Sequence, residues 1–198
     1  MLRGSLRRRR AFLQIAGRAG PRRKRPSKAP ARTGSAPTRR TPSPVAPLSE
    51  RKSLIEKNAR VHWEGPGKKG QGQITTETGA LKAYPYGFGS RFEDDRTGTN
   101  PEEIVGAAHA ACFTMAFAFA AEKAGFPTKD VDTNAVVRLA KDGDGFKIDR
   151  IALTLEASVP GIDDARFQEL AQTAKRDCPL SKALAAVPEI TLTATLRP

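Results

Sequence analysis

The sequence has few of the residues from which disulfide scaffolds and metal sites are built. Its 198 residues include two cysteines, two histidines, one tryptophan and two methionines. Two cysteines 66 positions apart are too few for the disulfide framework of a small secreted domain. With two histidines and no Cys-x-x-Cys pair, a structural zinc site is disfavoured, and we expect no metal. The two cysteines suffice for one redox pair.

Acidic residues are missing from the first part of the chain. Residues 1–49 contain 14 Lys and Arg and no Asp or Glu, whereas residues 50–198 contain 20 basic and 21 acidic residues. The net charge of +13 therefore comes from a basic leader, and the remaining body is near neutral. A body without excess positive charge does not neutralise phosphates over its surface, which excludes a protein coated by nucleic acid. It is long enough to form one domain with its own core.

The basic leader, residues 1–53, is rich in Pro, Arg and Ser, and we predict that it is disordered because it has little apolar surface to offset the entropy of ordering. Three interpretations stay open: an arm that contacts nucleic acid or an acidic membrane, an organellar transit peptide, and an extension without function. Composition favours the last. A secretory signal is disfavoured because the apolar run Ala11–Ala16 is short and contains Gln14, so we expect a cytoplasmic protein.

The body opens with a predicted β-hairpin. Ala59–Glu64 and Gln73–Thr78 have strand composition and flank a Gly-rich turn. The spacing Gly65-x-Gly67-x-x-Gly70 matches a dinucleotide-binding fingerprint, but such a fingerprint opens a helix and needs an acidic residue about 20 positions further on. Because a strand-like run follows here, we interpret the glycines as a turn.

The strongest helix signal begins at Asn100, which can cap a helix that Pro101 starts and in which Glu103 completes a capping box. We expect this helix to continue until Gly125 stops it. Residues 104–121 carry no charge, and half of them are Ala or Gly. The run rises about 27 Å, just short of a hydrocarbon core of about 30 Å. We therefore predict a central helix buried in a soluble protein, and no membrane span.

The rest of the body alternates between strands and helices. A turn at residues 142–145 separates two predicted strands, an amphipathic helix follows, and the chain ends in an alternating strand. This order predicts an α+β fold with a helix packed against a mostly antiparallel sheet. The predicted elements are the strands Thr133–Ala140 and Phe146–Ser158, the helix Asp163–Arg176, helical turns at Leu180–Ala186 and the strand Ile190–Leu196.

Residue chemistry alone does not decide which cysteine reacts. A buried cysteine is usually an inert small hydrophobe, and a reactive one needs positive charge or a helix N-terminus near its sulfur. By that rule Cys178 is the more activated, because Pro179 behind it starts a helical turn. Cys112 lies in mid-helix, where no helix end helps it, and it needs a cation from elsewhere.

Four blocks of sequence resemble the signature of the OsmC/Ohr family of thiol-dependent peroxidases. They are Phe88–Glu93 (FGSRFE), Thr99–Glu103 (TNPEE), His109–Phe113 (HAACF) and Cys178–Ser181 (CPLS). The segments VHWEG, LKAYPYGF, EKAGF and VPGID favour the OsmC branch. The resemblance spans about Leu54 to Leu196, so residues 54–198 are expected to form one OsmC-like peroxidase domain.

The resemblance implies an OsmC-like fold, with antiparallel sheets around the buried central helix, and an intertwined homodimer. It implies reduction of organic hydroperoxides to alcohols in oxidative and osmotic stress defence, without a metal, haem or other cofactor. It assigns Cys112 as the peroxidatic cysteine and Cys178 as the resolving one, joined in a disulfide that a dithiol reductant, such as a lipoylated protein, reopens. It also implies that Arg91 stabilises the thiolate and the peroxide, and that Glu102 orients Arg91.

Some further residues keep two interpretations. His109, one turn before Cys112, is interpreted as a packed or hydrogen-bonded histidine, because a thiolate stabilised by arginine needs no base.

A non-catalytic thiol redox sensor and a nucleic-acid-binding module with an Arg-rich arm stay open as alternative functions. An apolar wall beside the substrate is one interpretation of four aromatic residues, and core packing is the other: Tyr84, Tyr86, Phe88 and Phe113.

Overall fold

The computed structural model describes residues 54–198, and the predictions for the leader at residues 1–53 lie outside the described residues. The predicted strands and helices are confirmed to within three residues at each end, and β3 and α1 are additional. The elements are β1 (Ala59–Glu64), β2 (Gln71–Thr76), β3 (Tyr84–Gly87), α1 (Phe88–Phe92), α2 (Pro101–Lys123), β4 (Asp130–Asp142), β5 (Gly145–Ser158), α3 (Asp164–Asp177), α4 (Pro179–Ala183) and β6 (Glu189–Arg197).

The first sheet is antiparallel, with the strand order β1-β2-β3. The interpretation of the glycines as a turn is confirmed, because β2 and not a helix follows Gly70. A Cβ on Gly70 would lie 2.7 Å from the indole ring of Trp63, and one on Gly72 would overlap the ring of Tyr86. Glycine at these positions therefore lets aromatic rings lie flat on the hairpin backbone.

The second sheet is mixed, with the order β4-β5-β6. The hairpin of β4 and β5 is antiparallel, as predicted, but β6 runs parallel to β5, with Ile190 beside Ile151. The parallel direction follows from the connection: α3 and α4 carry the chain back across the sheet, whereas an antiparallel neighbour needs only a tight turn. The expectation of antiparallel sheets thus holds for the first sheet and for half of the second.

Helix α2 begins and ends close to where the sequence predicts. The Asn100 side chain accepts a hydrogen bond of 2.8 Å from the N–H of Glu103, and Gly125 follows the helix in a left-handed conformation, φ +89°, as a C-terminal glycine does. The capping box is not completed. The Glu103 carboxylate instead accepts a hydrogen bond of 2.9 Å from the hydroxyl of Thr99.

One face of α2 lies in the core, as expected for a central helix, and the other face is open in the single chain. His109, Phe113 and Phe117 are fully buried, and the ring of Phe117 meets that of Phe167 on α3 at 5.4 Å. The helix is long and apolar enough to cross a bilayer by length and composition, yet this face packs against the protein. An uncharged helix gives no sign of which face meets the sheet.

The open face of α2 is apolar. Met115 is 58% exposed and Phe119 62% exposed. They continue a stripe at helical spacing that begins with three exposed alanines, Ala107, Ala108 and Ala111. We call these five residues the open stripe of α2.

Candidate active site

Helix α1 is fixed against the start of α2 by hydrogen bonds around Ser90. The Ser90 hydroxyl donates to the carbonyl of Thr99 at 2.7 Å, and the Asn100 amide donates to the carbonyl of Ser90 at 3.1 Å. The N–H of Gly87 donates to the Ser90 hydroxyl at 3.0 Å. These bonds place the next residue, Arg91, beside the N-terminus of α2.

Arg91 and Glu102 form a two-pronged ion pair. Nε of Arg91 lies 3.1 Å from Oε2 of Glu102, and Nη2 lies 2.6 Å from Oε1. The Glu102 side chain is 12% exposed and that of Arg91 36%, and the guanidinium carbon is 5.1 Å from the centre of the Phe92 ring. A planar guanidinium held by one carboxylate along one edge keeps other N–H groups free for a further anion.

The two cysteines lie side by side. The Cys178 thiol and the backbone N–H of Leu180 both lie near enough to the Cys112 sulfur to shift the pKa of its thiol. Both cysteines are free. Cys178 is fully buried and Cys112 is partly buried. Two neighbouring thiols on packed elements can be joined in a disulfide where side-chain movements bring the sulfurs together.

The sequence assigns the N-terminus of a short helix to the activation of Cys178, but in the structure this helix end lowers the pKa of Cys112. Helix α4 begins at Pro179 with Cys178 as its N-cap residue, as the sequence predicts. The N–H of Leu180 in its first turn, however, lowers the pKa of the Cys112 thiol and so favours its thiolate. The prediction that no helix end helps Cys112 is therefore wrong, because α4 packs onto the middle of α2.

Burial nonetheless dominates at Cys112. Desolvation raises the pKa of the Cys112 thiol, the Leu180 N–H lowers it, and the neighbouring Cys178 raises it further. Arg91 is not among the described groups that shift this pKa. Glu102 holds Arg91 at the start of α2, about 15 Å along the helix axis from Cys112. Within one chain, the expected contact between Arg91 and Cys112 is therefore not made.

His109 is packed and hydrogen bonded, as predicted. It is fully buried, and its Nε2 lies 2.9 Å from Oγ of Ser181. Burial lowers the pKa of His109, which favours the neutral ring. The sequence contains Ser181 within the CPLS block but gives no sign of its partner on α2.

The aromatic candidates divide between core and surface. Phe113 has no exposed surface and belongs to the core cluster, so it cannot line a substrate site, and for this residue core packing is the correct interpretation. Tyr84 is 45% exposed, Tyr86 packs against Trp63, and Phe88 is partly buried. All three lie in β3 or α1, with Arg91.

Sequence reasoning missed two exposed aromatic residues beside Arg91. Phe92, next to Arg91 in α1, stacks on Phe88 at 5.0 Å and on Phe146 at 5.1 Å. Phe146 lies at the β4–β5 turn, more than 50 positions along the chain, and only the fold brings it there. Among residues 54–198, no group of three or more His, Cys, Asp or Glu side chains is arranged to hold a metal ion.

Two neighbouring free thiols, one on a central helix and the other on the N-cap residue of a helix packed on it, define a thiol-based redox protein with an α+β fold. A family model described as "OsmC-like protein" matches residues 93–193. The chain is 51% identical over 138 residues to Peroxiredoxin OsmC of Escherichia coli strain K12, which covers 70% of this chain and 94% of that protein. The chain belongs to the OsmC/Ohr family.

Other relatives agree with this assignment. The organic hydroperoxide resistance protein OhrB of Bacillus subtilis is 34% identical over 114 residues, 57% of this chain and 80% of that protein. Its crystal structure matches with a TM-score of 0.52 at 31% identity, covering 71% of this chain and 98% of that one. An organic hydroperoxide resistance protein OsmC from Legionella pneumophila matches with a TM-score of 0.57 at 25% identity, covering 73% and 99%. These structures confirm the OsmC-like α+β fold.

Proposed function

We propose that this peroxidase of the OsmC/Ohr family reduces organic hydroperoxides to alcohols, with Cys112 as the attacking thiol and Cys178 as the resolving thiol. The observation that carries the proposal is that two free thiols on separate elements lie near each other in one packed cluster. The relatives named a peroxiredoxin and organic hydroperoxide resistance proteins support the reaction, its substrate class and a role in oxidative stress defence.

Exposure favours Cys112 as the attacking residue. Cys178 is fully buried, whereas Cys112 keeps some contact with solvent, so a hydroperoxide reaches Cys112 first. The Leu180 N–H also stabilises negative charge at the Cys112 sulfur.

The first chemical step oxidises Cys112. Its thiolate attacks the terminal oxygen of ROOH, an S–O bond forms, and the O–O bond breaks. The leaving alkoxide takes a proton to become the alcohol. Sulfur loses two electrons and Cys112 becomes a sulfenic acid.

The second step forms the disulfide. The Cys178 thiolate attacks the Cys112 sulfur, an S–S bond forms, and the S–O bond breaks, so that hydroxide leaves and is protonated to water. A dithiol reductant then donates two electrons and returns both thiols. We propose a lipoylated protein as that reductant and the cytoplasm as the location, because both cysteines must be reduced before each cycle and the cytosol keeps thiols reduced.

The cation that Cys112 lacks within its own chain is, we infer, supplied by a second copy. Burial raises the pKa of Cys112, and a buried thiol needs a positive charge nearby to ionise at neutral pH. The Arg91–Glu102 pair sits at the start of α2, ten residues before Cys112. If two α2 helices pair antiparallel about a two-fold axis near Ala107, the start of each helix lies beside Cys112 of the other.

The open stripe of α2 supports this homodimer. Its alanines lie around the position where the two-fold axis would pass, and small side chains let two helices approach closely. Met115 and Phe119, further along, present apolar surface that a single chain leaves open to water. In this arrangement the partner subunit's Arg91 stabilises the thiolate, while Phe92 and Phe146 beside it present apolar surface for the alkyl group of the hydroperoxide.

Single-turnover kinetics test the proposed reaction. We expect reduced full-length protein mixed with equimolar cumene hydroperoxide to yield cumyl alcohol and a Cys112–Cys178 disulfide, with hydrogen peroxide reacting more slowly. Cys112→Ser should abolish alcohol formation, and Cys178→Ser should make one equivalent of alcohol and stop at the sulfenic acid. Disulfide formation without turnover in the presence of dihydrolipoamide would favour the redox sensor, and an inert wild type would exclude both.

A further inference from the structure

A second contact joins the two cysteine-bearing segments, one helical turn away from the thiols. His109 lies three residues before Cys112 on α2, and Ser181 lies three residues after Cys178 on α4. Nε2 of His109 is 2.9 Å from Oγ of Ser181. The segment Cys178–Ser181 therefore lies on α2 at both ends: its thiol is near that of Cys112 at one end, and its hydroxyl is bonded to the His109 imidazole at the other.

Packing alone does not explain a histidine at position 109. The side chain is fully buried, and its Nδ1 has no hydrogen-bond partner among the described residues. A leucine would fill similar space without leaving a buried polar atom unpaired. The bond to Ser181 is the feature that a leucine could not supply.

We propose that His109 and Ser181 are a positioning pair for the resolving step, an inference that rests on the disulfide mechanism proposed above. Oxidation of Cys112 adds an oxygen atom beside Cys178 and disturbs the thiol contact there. The His109–Ser181 hydrogen bond involves neither sulfur, so it persists through this change. It keeps Cys178 at attacking distance and raises its effective concentration at the sulfenic acid.

The pair also protects the enzyme from overoxidation. A sulfenic acid that waits for its partner can react with a second hydroperoxide, which transfers one oxygen and leaves as alcohol, to give a sulfinic acid that thiols do not reduce. Faster resolution shortens this exposure. Loss of the pair should therefore increase inactivation by excess hydroperoxide while leaving the first oxidation unchanged.

Three variants of the full-length protein remove or restore the bond, and one serves as control. His109→Leu and Ser181→Ala each remove it, and His109→Gln keeps an N–H donor at similar reach. Thr114→Val is the matched control, because it removes a hydroxyl on the same helix that bonds to Thr133 on β4 at 2.7 Å and not to the cysteine segment. Ser181→Ala deletes a single oxygen, so it tests the pair even where His109→Leu fails to fold.

The measurement follows both steps after mixing with equimolar cumene hydroperoxide. Alcohol formation reports the first step, and mass spectrometry after quenching with dimedone separates sulfenic acid from disulfide. We expect disulfide formation to slow about tenfold in His109→Leu and in Ser181→Ala, and no further in the double variant, because both remove the same bond. His109→Gln should recover most of the rate, and Thr114→Val should match wild type. Unchanged disulfide rates, or alcohol formation slowed to the same degree, would overturn the positioning role.

Equilibrium with dithiothreitol tests the pair without any peroxide. The Cys112–Cys178 disulfide should be about tenfold easier to reduce in His109→Leu and Ser181→Ala than in wild type, because the effective concentration of the two thiols falls. If wild type makes no disulfide with hydroperoxide but this shift is found, the peroxidase mechanism has failed and the positioning role stands. If wild type turns over while both the rate and the equilibrium are unchanged in the variants, the positioning role has failed and the mechanism stands.

Discussion

Glu102 and Cys112 lie ten residues apart on one helix, and Glu102 holds Arg91, the cation that the family resemblance assigns to the Cys112 thiolate. The Arg91–Glu102 pair is well formed, with Nη2 and Oε1 2.6 Å apart, but burial still raises the pKa of Cys112. The Arg91–Glu102 pair lies at one end of α2 and the Cys112 sulfur lies in its middle. In the proposed dimer, a two-fold axis between two α2 helices would bring the pair of one chain beside the sulfur of the other.

Subunit complementation tests this arrangement directly. The Arg91→Ala protein should react about 100-fold more slowly than wild type because its thiol lacks a cation, and the Cys112→Ser protein should be inactive because it lacks the thiol. Mixing the two under conditions that exchange subunits should restore activity, since one site then combines Cys112 of one chain with Arg91 of the other. Steady-state reduction of cumene hydroperoxide measures the recovery, and a mixture as inactive as its parents would show that Arg91 acts within its own chain.

The shape of the cation matters as well as its charge. Arg91→Ala should slow peroxide attack by about 100-fold, the size of effect typical for loss of one electrostatic contact to a reacting group. Arg91→Lys should recover little of this, because an ammonium cannot bridge Glu102 and the thiolate in one plane. Arg96→Ala, in the neighbouring exposed loop, is the control and should react like wild type. Pre-steady-state alcohol formation is the measurement, and full activity in Arg91→Lys would contradict a bridging role.

The pH dependence of thiol alkylation should move in a defined direction. Without Arg91, burial and Cys178 raise the pKa of Cys112, so its thiolate fraction at neutral pH falls. The rate at which iodoacetamide reacts with Cys112 should therefore begin to rise at a higher pH in Arg91→Ala than in wild type, and it should reach a similar plateau. Cys178→Ser, made in both backgrounds, ensures that only Cys112 is followed. A profile identical to wild type would show that Arg91 does not act on this sulfur.

The free energy of unfolding of Arg91→Ala should also depend on the protonation of Cys112. In Arg91→Ala the folded chain holds the Cys112 proton more tightly than the unfolded chain does. The stability that the protonated Cys112 thiol contributes to the folded state is therefore fully present below the ordinary thiol pKa of about 8.5, and it is lost as pH rises above this value through the raised pKa of the folded state. Urea unfolding of Arg91→Ala across this range should show the decline, and the Arg91→Ala/Cys112→Ser double variant should lack it.

A charge placed on the open stripe of α2 should separate the dimer. Ala108→Glu puts a carboxylate where two helices are proposed to meet, and desolvating it without a partner is unfavourable. We expect a monomer by size-exclusion chromatography with light scattering, with loss of peroxide turnover. Ala165→Glu, at an exposed alanine on α3, should leave both the mass and the turnover as in wild type. A dimeric Ala108→Glu protein would place the interface elsewhere.

Local features of the fold could be predicted from sequence because their causes are local. Asn100, Pro101 and Gly125 mark the ends of α2 through capping chemistry that needs no other part of the chain. The Asp142–Gly145 turn likewise fixes the β4–β5 hairpin. Helix ends and turns that depend only on adjacent residues could therefore be predicted from the sequence.

Contacts between distant segments could not be predicted in this way. Nothing local to Leu180 shows that its N–H meets the Cys112 sulfur, and nothing local to Ser181 shows that it binds His109. The parallel direction of β6 depends on the crossover of α3 and α4. The Arg91–Glu102 pairing was reachable only through family resemblance, and its separation from Cys112 shows in the geometry of α2.

In the proposed homodimer, Met115 and Phe119 make the protein dependent on its own concentration. Because only the dimer would shield these two side chains, dilution would weaken stability and activity together. Catalysis would then fade below the dissociation constant of the pair, and a cell that makes more of the protein under stress would gain activity more steeply than it gains chains.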